Sequence, residues 1–487
     1  MTNILAFLPE SILFIGALFL LMVDVFLGKK FKNIMPRVLF VGAISFTISA
    51  LIATGLSFDS FYSAFNGMFY STRFTSFVKI ISLSILVLTI FMSADFIEEE
   101  KRIGSEFLAL LMIATVGGML MISSNSLLPI YMALELQALS LYLLAAIKRS
   151  SSKSAEAGVK YFLLGSVASG LLLLGISLVY GFAGTVDLSE IMNYYRTNQG
   201  HIPMAVLLGI TLIMIAMFFK VSAAPFHMWT PDVYEGSSTI VTTLFASMVK
   251  FIAIIMMIRL YFSLTFVWPD MHQVVIAVAI LSLVVGALGA IKQSNLKRLL
   301  AYSAIGHIGF VLAGLAVGDI GSIKAMILYA VIYSSLSLGA FAFLLMLQYE
   351  SSDTSTDTKN DHIYDLKAIA GLAKTSPVIG MSVAAIMFSM AGIPPLAGFF
   401  AKLYILLSVV GKGFYTLAII AVLCSVISAF YYLRVVKIIY FDGKNSNQQN
   451  ITLVINNGAI ILILMALANL LFLAYLNPLT QLIAEIL

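Results

Sequence analysis

Apolar stretches of about 20 residues recur from one end of this chain to the other, and each is long enough to cross a bilayer as a helix. In hydrocarbon every backbone polar group must be satisfied internally, so such stretches fold as membrane-spanning helices. Composition agrees: 61% of residues are hydrophobic and 10% charged, whereas soluble domains run near about a quarter charged. The expectation is one all-α integral membrane domain over residues 1–487.

Fourteen spans are expected, roughly 7–27, 36–56, 75–95, 106–123, 126–147, 159–182, 204–224, 238–261, 272–291, 299–318, 323–348, 376–393, 414–440 and 452–484. The seventh and twelfth are expected to continue past their prolines, to about 233 and 411. The first, in PESILFIGALFLLMVDVFLGKK, lacks a basic leader and a cleavage-like site, so it reads as a span and not a signal peptide. Alternate loops carry 19 lysines and arginines in one set and 6 in the other. That bias places the richer set inside and both termini on the outer side. The net charge of +5 is explained by these loops and calls for no nucleic-acid partner. The polar stretch 349–367 reads as an inner, partly mobile connector.

Lys220, Lys250 and Lys402 fall outside both loop sets, within spans, and Glu135 sits near the middle of span five. A lysine at a helix centre costs about 2.5–3.5 kcal/mol by insertion scales, so these groups must face protein or water and not lipid. Snorkelling suits residues near span ends, such as Lys79 and Lys412, and suits Lys220 poorly. A structural ion pair accounts for Glu135 with one lysine but not with three. An ammonium in low dielectric without a fixed counter-charge gives up its proton readily, which is what a proton relay needs.

Prolines stand beside two of these lysines. In MFFKVSAAPF, Pro225 cannot donate to the carbonyl of Val221, so the helix should open one residue after Lys220. In FSMAGIPPLAGFFAKLYIL, Pro394 and Pro395 leave the carbonyls of Met390 and Ala391 without helical partners, with Lys402 two turns on. Freed backbone groups at mid-depth are tolerated only beside protein or a hydrated cavity. The two breaks are five spans apart, an odd offset, so they run in opposite directions. That predicts two inverted five-helix repeats with broken helices seven and twelve. The units would be 1–105 (three helices), 106–261, 272–440 and a last helix at 452–484.

His307, in span ten, titrates near neutrality and is either a proton relay or a hydrogen-bonded structural histidine. His227 follows the first break, as a gate or a cap. Gly117 and Gly118 read as helix-packing positions. The single cysteine, Cys424, excludes an internal disulfide and a cysteine-ligated cluster, and the chain has neither a P-loop nor a dinucleotide-binding fingerprint.

ELQALSLYLLAA (135–146), FKVSAAPFHMWTPDVYEGSSTIVTTLFASMVK (219–250), KRLLAYSAIGHIGFVLAG (297–314) and AGIPPLAGFFAKLYIL (391–406) resemble the antiporter-like N-type membrane chains of proton-pumping NADH:quinone oxidoreductase, complex I. The resemblance implies the same fourteen-helix, inverted-repeat architecture and a proton path through the membrane. It assigns proton translocation to Glu135 paired with Lys220, then Lys250, then Lys402 toward the outer exit, with His307 on the same axis. It places NADH, FMN, iron–sulfur clusters and quinone in other subunits, and implies neighbouring membrane subunits and the lipid bilayer as partners. A bacterial inner membrane is expected, with a mitochondrial inner membrane as the alternative. Two rival functions remain on the residues: a subunit of a multisubunit sodium/proton antiporter, and a non-transporting structural subunit.

Overall fold

A computed structural model of the chain describes all residues except 1–4, 29, 32, 100–103, 198–201, 350–363, 444–450 and 454–455. Most of the connector expected at 349–367 therefore lies outside the described residues. Among the described residues, twelve helices are long and apolar enough to cross a membrane. They are spans one (Leu8–Leu27), two (Met35–Leu56), three (Arg73–Met92), four (Gly104–Ser123), five (Leu127–Ala145), six (Ser152–Ala183), seven (Met204–Val221), eight (Thr239–Ser263), nine (Thr265–Ile291), ten (Leu296–Val317), eleven (Ile320–Leu345) and thirteen (Tyr415–Tyr440). Segment twelve is a pair of shorter helices, Pro377–Ala391 and Ala397–Gly411, and segment fourteen is the bent pair Asn457–Leu470 and Phe472–Ile486. Every segment expected to span is thus helical over most of its described residues.

Two segments and one side chain stand out against expectation. Span six begins at Ser152 and not near 159, because Ser151 caps it by accepting from the Ser154 amide. Its polar first turns are stabilised by a Glu156–Lys160 pair one helical turn apart, at 2.7 Å. Segment fourteen is not one straight helix from 452. Residues Ile451–Leu453 pair as a strand with Leu347–Tyr349, Asn456 caps the helix that follows, and that helix turns by 78° into Phe472–Ile486. Lys79 does not snorkel to water: its side chain is 1% exposed and lies 2.7 Å from the equally buried Glu10 of span one.

Burial ranks the helices. Within span eight the apolar window is 100% buried, whereas in spans one and two it is 28%. Span eight, which carries Lys250, is therefore the most enclosed helix of the bundle, and spans one and two leave their outer faces uncovered within the chain. Helices of this kind associate through small residues that let backbones approach. A Cβ on Gly117 of span four would stand 2.6 Å from the backbone nitrogen of Gln137 in span five, and one on Gly286 of span nine 2.3 Å from that of Gly306 in span ten. A short antiparallel hairpin, Tyr62–Ala64 with Phe69–Ser71, covers one end between spans two and three.

Candidate functional site

Helices end at Val221 and at Ala391, each shortly before a proline, and the residues around each end show what satisfies the freed backbone. Span seven ends at Val221, and Ser222 closes it in a left-handed conformation at φ 69°. The amide of Ala223 donates back to the Phe218 carbonyl at 2.8 Å, and the Trp229 indole donates to the Phe219 carbonyl at 3.0 Å. The Ala224 amide donates to Ser282 Oγ of span nine at 2.9 Å. At the second break Gly392, at φ 90°, closes Pro377–Ala391. The carbonyl of Ala391, one of the two expected to lose its helical partner, accepts from Lys402 Nζ at 2.9 Å. The lysine two turns past the prolines thus returns to the gap that the prolines open. Gly392 is required twice over, by its positive φ and because a Cβ there would meet Lys402 Cδ at 3.1 Å.

The three lysines are all buried, with Lys220 at 4%, Lys250 at 1% and Lys402 at 6% exposure. Their surroundings differ. Lys220 Nζ and Lys250 Nζ have no hydrogen-bond partner among the described residues. Lys220 lies over the ring of Tyr142 at 5.9 Å and Lys250 over that of Tyr234 at 5.4 Å. Lys402 is fully engaged, by Ala391, by Ser425 Oγ at 3.1 Å and by the Phe310 ring at 5.4 Å. Glu135 is half-buried, and its Oε1 is buried without a hydrogen-bond partner. Its charge acts on Lys220, but no hydrogen bond joins the two, so the expected pair is an opposed couple held apart in this conformation. Lys250 follows a π-helical turn, Phe245–Val249, inside span eight. Such turns interrupt the regular ladder and concentrate at functional sites.

His307 is buried between two hydroxyls. Its Nδ1 is 2.6 Å from Tyr329 of span eleven, and its Nε2 is 3.0 Å from Tyr432 of span thirteen. Tyr432 also bonds Ser303. Each hydroxyl can donate or accept, so either neutral tautomer of the ring is satisfied, and the proton can change sides without breaking the cage. His307 is near enough to Lys250 and Lys402 to feel the charge of both. A cavity with room for about one water runs from His307 to Lys402 along Ser303, Tyr431 and Tyr432. The tyrosines were not singled out by the sequence reading, since aromatic residues in apolar spans look like ordinary core.

Over residues 124–428 the chain matches the family described as NADH:quinone oxidoreductase/Mrp antiporter, transmembrane. It is 42% identical over 441 residues to the NADH-quinone oxidoreductase subunit N of Parvibaculum lavamentivorans, covering 89% of this chain and 87% of that one. The chain belongs to the NADH-quinone oxidoreductase subunit N family. Its structure also superposes on a chain of respiratory complex I from Thermus thermophilus, with TM-score 0.79, 26% identity and coverage of 97% and 98%. A chain of the Mrp complex from Dietzia sp. shares the fold alone, with TM-score 0.79 at 20% identity over 98% and 97% of the two chains.

In this chain the string PFHMWTPDVYEG is a set of fasteners for the segment after Val221. Trp229 caps the break and stacks on Tyr161 of span six with ring centroids 4.5 Å apart. Asp232 is held by Lys160 of span six at 2.7 Å and by Arg298 of span ten at 2.8 Å, and Glu235 by the same Arg298 at 3.0 Å. Tyr234 turns inward to Lys250, and a Cβ on Gly236 would meet the Lys153 carbonyl at 2.6 Å. His227 is half-buried beside Pro225, with Nδ1 unpartnered. Among the described residues no group of three or more His, Cys, Asp or Glu is placed to hold a metal ion.

Proposed function

We propose that this chain carries protons through the membrane arm of a respiratory NADH:quinone oxidoreductase, along Glu135, Lys220, Lys250 and Lys402, with His307 as the relay between the last two. The observation that carries the reading is the state of the lysines. Lys220 and Lys250 are buried ammonium groups without a hydrogen-bonded counter-charge, which a purely structural subunit has no reason to keep. Glu135 favours the charged form of Lys220 when the two approach. When they separate, the lysine is left in low dielectric and its proton moves toward Lys250. From Lys250 it passes to His307 and its tyrosine hydroxyls, and then to Lys402 at the second break.

The two broken helices organise two inverted repeats, 106–261 and 272–440, following an N-terminal three-helix unit at 1–105 and preceding the last helices. NADH, FMN, the iron–sulfur clusters and quinone are held by other subunits, and this chain contributes translocation and no redox step. It sits beside other membrane subunits in the inner membrane of a bacterium, with both termini outside. The Mrp-like fold keeps a sodium/proton antiporter subunit as the second reading, and sodium-dependent transport without quinone reduction would favour it. The test is Lys250→Ala in the assembled complex. Quinone reduction is expected to persist while protons moved per quinone fall; an unchanged ratio would remove Lys250 from the path.

A further inference from the structure

The row of charges just described leaves one buried ion pair unused, Glu10 with Lys79. Glu10 lies in the first turn of span one and Lys79 in the second turn of span three. Both helices start on the same face of the membrane, about 9 Å of helix separating Lys79 from the start of span three. The ammonium reaches toward that face but stops on Glu10 Oε1 at 2.7 Å, with 1% and 3% of the two side chains exposed. The ring of Phe69, from the covering hairpin, lies 5.1 Å from the ammonium.

A buried ion pair stabilises a fold no better than apolar residues of similar size, so fastening span one to span three does not by itself account for it. Its surroundings hold further buried polar atoms without partners. Apart from the ion contact neither charged group has a hydrogen-bond partner among the described residues, and neither has Ser76 Oγ, one turn nearer the face. Ser123 Oγ, at the end of span four, is buried and equally unpartnered. Its neighbour Ser124 pairs through the backbone with Phe69. Buried polar atoms in such number are satisfied by ordered water. Span three also packs directly on span eight, the helix of Lys250.

We propose that Glu10 and Lys79 form a second proton-holding site, on the N-terminal helices and apart from the Glu135–Lys402 row. This site exchanges protons with the outer side during turnover. The inference rests on the reading of the chain as a proton-translocating subunit with its N-terminus outside. In each step a proton moves between Glu10, Lys79 and water, and no other bond changes.

The test compares Glu10→Gln, Glu10→Asp and the double variant Glu10→Leu with Lys79→Met, each in the whole complex in membranes, beside Lys220→Ala. The double variant keeps the contact between spans one and three without charge. Protons moved per quinone reduced are expected to fall in Glu10→Gln and in the double variant, with quinone reduction and assembly retained, and to recover in Glu10→Asp. Full proton yield in the assembled double variant would overturn the proposal and leave the pair a fastener, including where Glu10→Gln alone fails to assemble. If Lys220→Ala loses pumping while Glu10→Gln keeps it, this inference alone fails; if Lys220→Ala pumps normally, the underlying reading of the row fails.

Discussion

At the scale of single residues, charge is what the sequence displays and hydroxyl placement is what it conceals. Glu135, Lys220, Lys250 and Lys402 stand out because a charge within an apolar span needs a reason. Tyr329 and Tyr432 do not, because a tyrosine there is indistinguishable from core until its oxygen is seen beside His307. Lys79 shows the opposite error. Its position near a span end suggests snorkelling, and only the partner Glu10, 69 residues away in the chain, reveals a buried pair. The hydroxyl cage yields a prediction. Tyr432→Phe removes the group shared by His307 Nε2 and Ser303, leaving buried polar atoms unsatisfied at about 1–3 kcal/mol. Proton yield per quinone is expected to drop while the complex still assembles, because Tyr329 continues to hold Nδ1. Proton yield equal to the parent's would show that His307 needs only one hydroxyl.

At the scale of elements, the two helix ends were legible because proline removes a defined hydrogen bond. Val221 and Ala391 end their helices where Pro225 and the Pro394–Pro395 pair require. The 78° bend after Leu470 was not legible, since LANLLFLAYL contains neither glycine nor proline at the turn. Nor was the π-helical turn before Lys250, which leaves no mark in FASMV. The segment after the first break is held by half-exposed ion pairs, each worth about 1 kcal/mol or less and weakened by salt. Arg298 carries two of them, to Asp232 and Glu235. Arg298→Gln should therefore raise deuterium exchange of Trp229–Gly236 more than Glu156→Gln, which loses one contact to Lys160. Equal exchange in the two variants would mean that Trp229 and Tyr161 alone secure the segment.

At the scale of the whole molecule, hydropathy was enough to mark where the long apolar helices lie, because the bilayer fixes helix length, although twelve single helices, and a thirteenth if the bent pair is one span, reach crossing length among the described residues, against fourteen expected spans. It was not enough for their arrangement. Helices apolar on every side carry no stripe to say which face is inward. Span eight as the most enclosed helix emerges only from packing. That arrangement buries Lys250 and His307 in the interior and leaves spans one and two the least covered of the long helices. The central claim is that the buried lysines carry protons and do not merely hold helices. The most direct measurement is proton translocation against quinone reduction in membranes containing Lys220→Ala, beside the parent, with assembly verified. The account predicts that pumping per quinone is lost while the complex remains assembled. Unchanged pumping per quinone would contradict it and make Lys220 a structural residue of the broken helix.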